Sequence, residues 1–478
     1  MAEKNAQSSA EILDIERLPD AADANSQEHD LTFWKALRLY PKGVFWSLVM
    51  STVIIMEGYD TKLMGTLFAQ PAFQKNYGQQ ISKAEKWQIP APWQAGLNNG
   101  AGIGQLFGML IAGHLTERYG FRKTMLVGQI AIAGCIFLQF FAESLPVLEV
   151  AQILFGIPLG FFQATAVIYA LELGPLCLRA YLTNYIHLCW AFGQLFAVGV
   201  LRGTLKRTDH WAYRIPFGLQ WLWPSILIPL IFFAPESPWW LVRVGRLEEA
   251  KKVVKRLTSP RNVDFDIDKN VALMVVTTEH ELAIESGTSY ATCFRGTNLR
   301  RTIIVMFIYV NQTLNGNPLR GFSTYFFEQA GLPVTSAFDM TVVGFGVAIA
   351  GGIFSVSKLR SSVSPSNNLK WALLPLASRR TIYLTGLVIM TIIMALIGGL
   401  GIPQAHTPKS TYSWAIGSLL VISSFLYYST VGPLTNTLCA ELPSAMLRSK
   451  SIALARGAYI ISSIVAGVLT PYQLNPTA

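Results

Sequence analysis

Charge is scarce in this chain. Asp, Glu, Lys and Arg make up 14% of its 478 residues, against about 25% in an ordinary soluble domain. With 51% hydrophobic residues and a mean hydropathy of +0.38, that shortage excludes an ordinary soluble enzyme. Cysteine is scarcer still. The five, Cys135, Cys177, Cys189, Cys293 and Cys439, fall in apolar runs or in loops expected on the cytoplasmic side, so no disulfide framework is implied. No Cys or His cluster has metal-ligand spacing and no nucleophile–base pair stands out. Neither a metal, a cofactor nor an embedded enzyme is therefore expected. A cleavable signal peptide is missing as well. Residues 1–30 are polar and acidic, so the first apolar run must act as its own insertion signal. The net charge of +10 does not point to nucleic acid, because the basic residues sit between apolar runs, as in a membrane protein.

What the chain has is repeated apolar runs of about 20 residues, the length that crosses a bilayer. They predict spans at about 43–65, 95–113, 123–142, 148–172, 181–203 and 214–233. After a polar segment come spans at about 302–327, 337–356, 381–402, 412–438 and 451–472. The expectation is an all-α membrane protein with eleven spans. With the N-terminus inside, cytoplasmic segments hold 27 of the 38 Lys and Arg residues and outer loops nine. That excess favours a cytoplasmic N-terminus. Four parts follow: an N-terminal tail (1–42), a six-helix bundle (43–233), a central cytoplasmic segment (234–301) and a second bundle (302–478).

The central segment is the only long polar stretch between two apolar blocks, and it carries eleven Lys and Arg residues. Leu247, Ala250, Val253, Val254 and Leu257 recur in it at helical spacing, which predicts an amphipathic helix against a membrane or protein face. The two blocks echo each other. Glu172-Leu-Gly-Pro175 with Arg179 closes the fourth span of the first, and Glu441-Leu-Pro443 with Arg448 closes the fourth span of the second. Matching position within each half favours a parallel repeat over coincidence.

Between spans 2 and 3 stands Gly113-His-Leu-Thr-Glu117-Arg118-Tyr-Gly120-Phe-Arg122-Lys123. Its glycine suits close helix approach, and its charges suit latching of neighbouring helix ends. This pattern resembles the signature of the major facilitator superfamily, a two-bundle fold. With Pro235-Glu-Ser-Pro-Trp-Trp-Leu241 it resembles the sugar porters within it. Glu57-Gly-Tyr-Asp60-Thr61, Trp93-Gln-Ala-Gly-Leu97 and Ser323-Thr-Tyr-Phe-Phe-Glu-Gln-Ala-Gly331 resemble the fungal maltose and α-glucoside permeases. The resemblance runs from about residue 40 onward. It implies gating by Gly113, Glu117, Arg118, Arg122, Glu172, Arg179, Glu441 and Arg448.

Glu57 and Asp60 lie three residues apart on one face of span 1. A carboxylate inside a membrane is costly to keep charged and is normally functional, often as a proton carrier. The resemblance makes Asp60 the expected proton acceptor, with Glu57 beside it and Arg456 of span 11 as a possible cationic partner. The wider family often has an arginine where Gln152 stands, and some α-glucoside permeases have an acid where Gln105 stands. Both departures bear on coupling. A sugar needs groups that donate and accept hydrogen bonds. By resemblance Gln312 occupies a sugar-contacting position, with Asn311, Asn317, His187 and Asn436 as further candidates. A histidine bonded between helices explains His187 equally well.

Two regions depart from the resemblance. A Ser-rich insertion at 356–370 reads as a flexible loop, and the family's twelfth span is missing after residue 472. The expected function is import of an α-glucoside or related sugar by alternating access with proton symport, at the plasma membrane. A sugar sensor and an uncoupled facilitator stand as alternatives. Expected partners are the sugar (maltose, another α-glucoside or a hexose), protons and the lipid bilayer.

Overall fold

In the computed structural model, the described residues are 23–24, 26, 28, 31–80, 87–259, 266–286, 290–363, 379–406, 410–443 and 447–474, and some side chains inside those ranges are also left undescribed. Helices occupy each of the eleven expected places. Span 1 is Pro41–Ser51 followed by Val53–Leu67, and it leaves the preceding helix Phe33–Leu39 at a bend of 89°. Spans 2 to 5 are Ala91–Tyr119, Phe121–Phe140, Leu145–Leu173 and Leu176–Thr204. Span 6 comprises Trp211–Leu219 and Leu222–Phe233.

Span 7 comes in three pieces, Gly296–Leu314, Asn317–Gly321 and Ser323–Gln329. Its first break falls at Gly316, whose φ of +76° favours a residue without a Cβ. Span 8 is Val334–Val363, span 9 is Arg379–His406 and span 11 is Arg448–Leu474. Span 10 contains a π-helical turn, Tyr427–Val431, between Ser410–Leu426 and Gly432–Glu441.

The count of eleven is not reproduced on length and apolarity. Among the described residues eight helices pass, or nine if the bent pair around Tyr40 is one span. Spans 2 and 7 fall outside that count. Span 2 carries Asn98, Asn99 and a string of glycines, and span 7 is broken and carries Arg300, Arg301, Asn311 and Gln312. Span 2 buries Asn99 and span 7 buries Gln312, which lowers their apolarity without denying the helix, while Arg300 and Arg301 stand exposed near the start of span 7. A second difference concerns the insertion. Residues 356–363 continue the helix of span 8 where a loop was expected, while residues 364–370 lie outside the described residues.

Small residues let the helices of the first half come close. A Cβ on Gly104 would lie 3.0 Å from the Cα of Gly156, and one on Gly160 would lie 2.7 Å from the backbone nitrogen of Met109. Spans 2 and 4 therefore touch backbone to backbone, as small-residue interfaces in membranes do. The central segment folds as the pattern predicts. Helix Leu247–Leu257 buries Ala250, Val254 and Leu257 against the first half. The helix Ile267–Ser286 adds Val271 and Met274 to the same core. The amphipathic face thus covers protein.

At the end opposite the central segment, called here the far end, the two halves share one core. Phe68, Phe73 and Leu148 of the first half pack with Phe322, Tyr325 and Phe338 of the second.

Candidate functional site

Span 1 positions the site because its polar residues are buried by both halves. Gly58 lets it approach span 5, since a Cβ there would overlap the Trp190 backbone. One residue earlier, Glu57 is buried at 6% exposure. Its Oε1 accepts from Gln105 Nε2 at 2.8 Å and from Gln163 Nε2 at 3.3 Å. Arg456, from span 11 in the other half, lies within electrostatic reach of Glu57 and of His187 on span 5. The Arg456 guanidinium stands over the Tyr309 ring, 5.1 Å from its centroid, a cation–π arrangement. Glu57 and His187 of the first half are therefore electrostatic neighbours of Arg456 of the second.

Asp60 has other neighbours. It is 1% exposed and accepts from Gln220 Nε2 at 3.2 Å. Gln152 and Gln139 border it inside the first bundle. The sequence spacing puts Glu57 and Asp60 on one side of span 1. The structure adds that Glu57 meets the other half, whereas Asp60 sits in a cage of neutral amides.

In the second half Gln312 is buried beside the Tyr427 hydroxyl, at the start of the π-helical turn. Such turns are frequent at functional sites. Arg320 is buried at 7% exposure with its guanidinium 4.3 Å from the Tyr427 ring centroid. It donates from Nη1 to the Asn315 carbonyl at 3.0 Å. Asn311 is half-buried, and its carbonyl accepts from the Asn315 N–H at 3.1 Å where the helix ends. Asn317 is half-buried at the first position of Asn317–Gly321. The side chain of Asn436 lies outside the described residues, as do those of Glu441 and Arg448.

At the end next to the central segment, the Pro-Glu-Ser-Pro motif is a clamp. Glu236 Oε1 accepts from the backbone N–H groups of Phe121 at 2.8 Å and Arg122 at 3.1 Å. It thereby caps the start of span 3, where unpaired N–H groups and the helix dipole favour an anion. Burial pushes the Glu236 carboxyl above the usual carboxylate range, and these N–H groups and Arg122 pull it back. Glu172 accepts from the Ser237 hydroxyl and pairs with Arg243. Trp240 donates its indole N–H to the Glu117 carbonyl at 3.0 Å.

The other gating candidates are placed around this clamp. Arg122 lies over the Phe232 ring at 5.3 Å, and the exposed Arg118 over Tyr119 at 5.5 Å. Arg179 lines a small cavity with Glu28, Tyr40 and Glu172. Gly113 differs from expectation, for a Cβ there would meet nothing within 4 Å. The tight position is Gly120, at φ +92°, where a Cβ would lie 2.7 Å from Glu236 Oε2. The second glycine of this motif is the one that leaves room, for the Glu236 carboxylate.

Sequence reasoning missed several groups. Lys62 is 1% exposed in span 1 and donates to the carbonyls of Arg320 at 3.0 Å and Gly321 at 2.6 Å, and to Ser323 Oγ at 2.9 Å. A cation inside an apolar run was the available signal. Phe68 and Phe322 stack beside this bond set, with centroids 6.0 Å apart. Gln163 and Tyr427 carried no distinguishing signal, because their role depends on helices remote in sequence.

Comparison with known proteins bears on the family and the fold. A family model described as "Sugar (and other) transporter" matches residues 46–477. A general alpha-glucoside permease of Saccharomyces cerevisiae is 38% identical over 470 residues, covering 97% of this chain and 73% of the permease. A maltose permease of the same yeast is 37% identical over 474 residues, covering 97% and 73%. Among solved structures, a major facilitator superfamily proton:xylose symporter bound to 6-bromo-6-deoxy-D-glucose superposes with a TM-score of 0.68 at 18% identity, covering 91% of this chain and 89% of that one. A partially occluded inward-open xylose transporter from E. coli gives 0.66 at 16% identity, covering 91% and 93%. The chain has the major facilitator fold and belongs to the sugar transporter family.

Proposed function

We propose that this protein imports an α-glucoside such as maltose with protons, by alternating access of a site between its halves. The observation that carries the reading is the Glu57 carboxylate, held by Gln105 and Gln163 of one half, within electrostatic reach of Arg456 of the other, which also reaches His187. A hydroxyl-rich ligand placed there finds acceptors and donors on both sides. Closing either end then requires the halves to rock about the ligand. Gln312 and Tyr427 supply an amide and a ring face for the sugar. The yeast relatives' names, alpha-glucoside and maltose permease, support the substrate class.

Protons enter the reading through Asp60. A buried carboxylate among neutral amides carries an uncompensated charge until it binds a proton, so its protonation suits a cycle that moves charge with sugar. The lysine and arginine bias supports a cytoplasmic N-terminus, which puts the far end outside and the Glu236 clamp inside. A plasma-membrane location fits import. The division into tail, two bundles and central segment is part of the same proposal, with the central segment fastened to the first bundle.

Uptake of a radiolabelled sugar panel, with and without a protonophore, tests this reading. Uptake of maltose or another α-glucoside that collapses with the protonophore is expected. Uptake of hexoses alone, or uptake indifferent to the protonophore, would overturn the corresponding half of the proposal.

A further inference from the structure

The first bundle holds more buried polar groups than a single proton acceptor needs. Gln152 of span 4 is fully buried and Gln139 of span 3 is 2% exposed, and beyond their approach to the Asp60 carboxylate neither amide finds a hydrogen-bond partner among the described residues. Both border Asp60, as does Gln220, whose Oε1 is likewise unpartnered. Buried polar atoms are almost always satisfied, so a cluster of exceptions calls for a functional explanation.

Glu149 extends the cluster toward the far end. It lies on span 4 one turn before Gln152, so the two share a helix face. Both press on the same glycine of span 2. A Cβ on Gly100 would lie 3.1 Å from Glu149 Oε1 and 3.2 Å from Gln152 Cβ. Gly96, one turn away, would meet Glu149 Oε2 at 3.1 Å. That oxygen is buried without a partner, and no ion pair of Glu149 is found among the described residues. Leu148 beside it belongs to the far-end core.

We propose that Glu149 is the entry group of a proton path from the far end to Asp60, with the amides of Gln152 and Gln139 orienting the water that links them. A proton from hydronium outside binds Glu149 Oε2 and neutralises it. The Glu149 O–H then gives its proton to linking water, which passes one to Asp60, so Glu149 returns to carboxylate and Asp60 becomes neutral. Glutamine suits the intermediate place because it both donates and accepts without holding charge. The inference rests on proton coupling through Asp60.

The test uses the full chain in proteoliposomes, reading sugar-driven proton uptake with a trapped pH dye and sugar exchange in parallel. Glu149→Gln is expected to lose most sugar-driven proton uptake while keeping exchange, and Glu149→Asp to recover part of it. Glu149→His, which restores a titratable group, keeps the test decisive if Glu149→Gln folds poorly. Coupled transport in wild type with proton uptake unchanged in Glu149→Gln would overturn the path and leave coupling standing. Proton uptake lost equally in Glu149→Gln, Glu149→Asp and Glu149→His, with exchange lost too, would also overturn it, as the mark of a structural role. Wild type that moves sugar without protons would overturn the coupling reading and the path together.

Discussion

Lys62 offers the sharpest perturbation. Its ammonium crosses from the first half to the broken seventh span, with three acceptors at 2.6–3.0 Å, and it is 1% exposed. When the halves part at the far end, these groups must exchange one another for water. Charge-assisted hydrogen bonds contribute about 1.5 kcal/mol each at the low end. Burying the ammonium takes back part of that sum, leaving on the order of 2 kcal/mol in favour of closure. Lys62→Met keeps the aliphatic stem and removes the donors. A loss of about 2 kcal/mol shifts the closed-to-open ratio by about 30-fold.

The assay is alkylation by a membrane-impermeant maleimide in a background without the five native cysteines. The reporter is Phe322→Cys, placed where Phe322 now stacks on Phe68 at 1% exposure. Labelling should quicken markedly when Lys62→Met is added, up to the 30-fold limit, with Lys62→Arg intermediate. Equal labelling with and without Lys62→Met would refute the latch. Slower labelling would mean that the buried ammonium costs more than its bonds return.

Three further outcomes follow from the site. Gln312→Ala should raise the half-saturation concentration for sugar several-fold at unchanged surface expression, since one neutral hydrogen bond contributes about 1 kcal/mol; unchanged half-saturation across all transported sugars removes it from the site. Arg118→Ala should slow uptake while sugar binding by the purified protein is kept, because the side chain lies at the clamp end, away from Gln312; loss of binding contradicts a gating role. Glu236→Ala should lower thermal stability in detergent by about 1–2 kcal/mol, because the N–H groups of Phe121 and Arg122 lose their cap; an unchanged melting profile would show that another group caps span 3.

Much of the fold was legible because apolar runs register directly in sequence. The amphipathic helix around Val254 was legible for the same reason, its period matching the face it buries. Span counting failed as a measure of apolarity at spans 2 and 7, where Asn99 and Gln312 are buried in protein and charged residues such as Arg300 and Arg301 lie exposed near a helix end. Lys62 was not singled out, because the carbonyls that receive it belong to span 7 and only the fold brings them near. Glu57 and Asp60 were found from their cost in a membrane. Their division of surroundings was not, because it depends on Gln105, Gln163 and Arg456 for one and on Gln139, Gln152 and Gln220 for the other. Those partners come from five other spans, and only the fold brings them together. The clamp on span 3 was hidden likewise, since Glu236 and Phe121 are 115 residues apart.

The central claim is that proton movement drives sugar across the membrane through Asp60. Its most direct test is maltose accumulation in vesicles under an imposed inward proton gradient, comparing wild type with Asp60→Asn. The account predicts that wild type accumulates maltose above the external concentration and that a protonophore abolishes the excess. Asp60→Asn should only equilibrate maltose while still exchanging it. Accumulation by Asp60→Asn as high as wild type would contradict the account, and so would wild-type uptake that stops at equilibrium under the gradient.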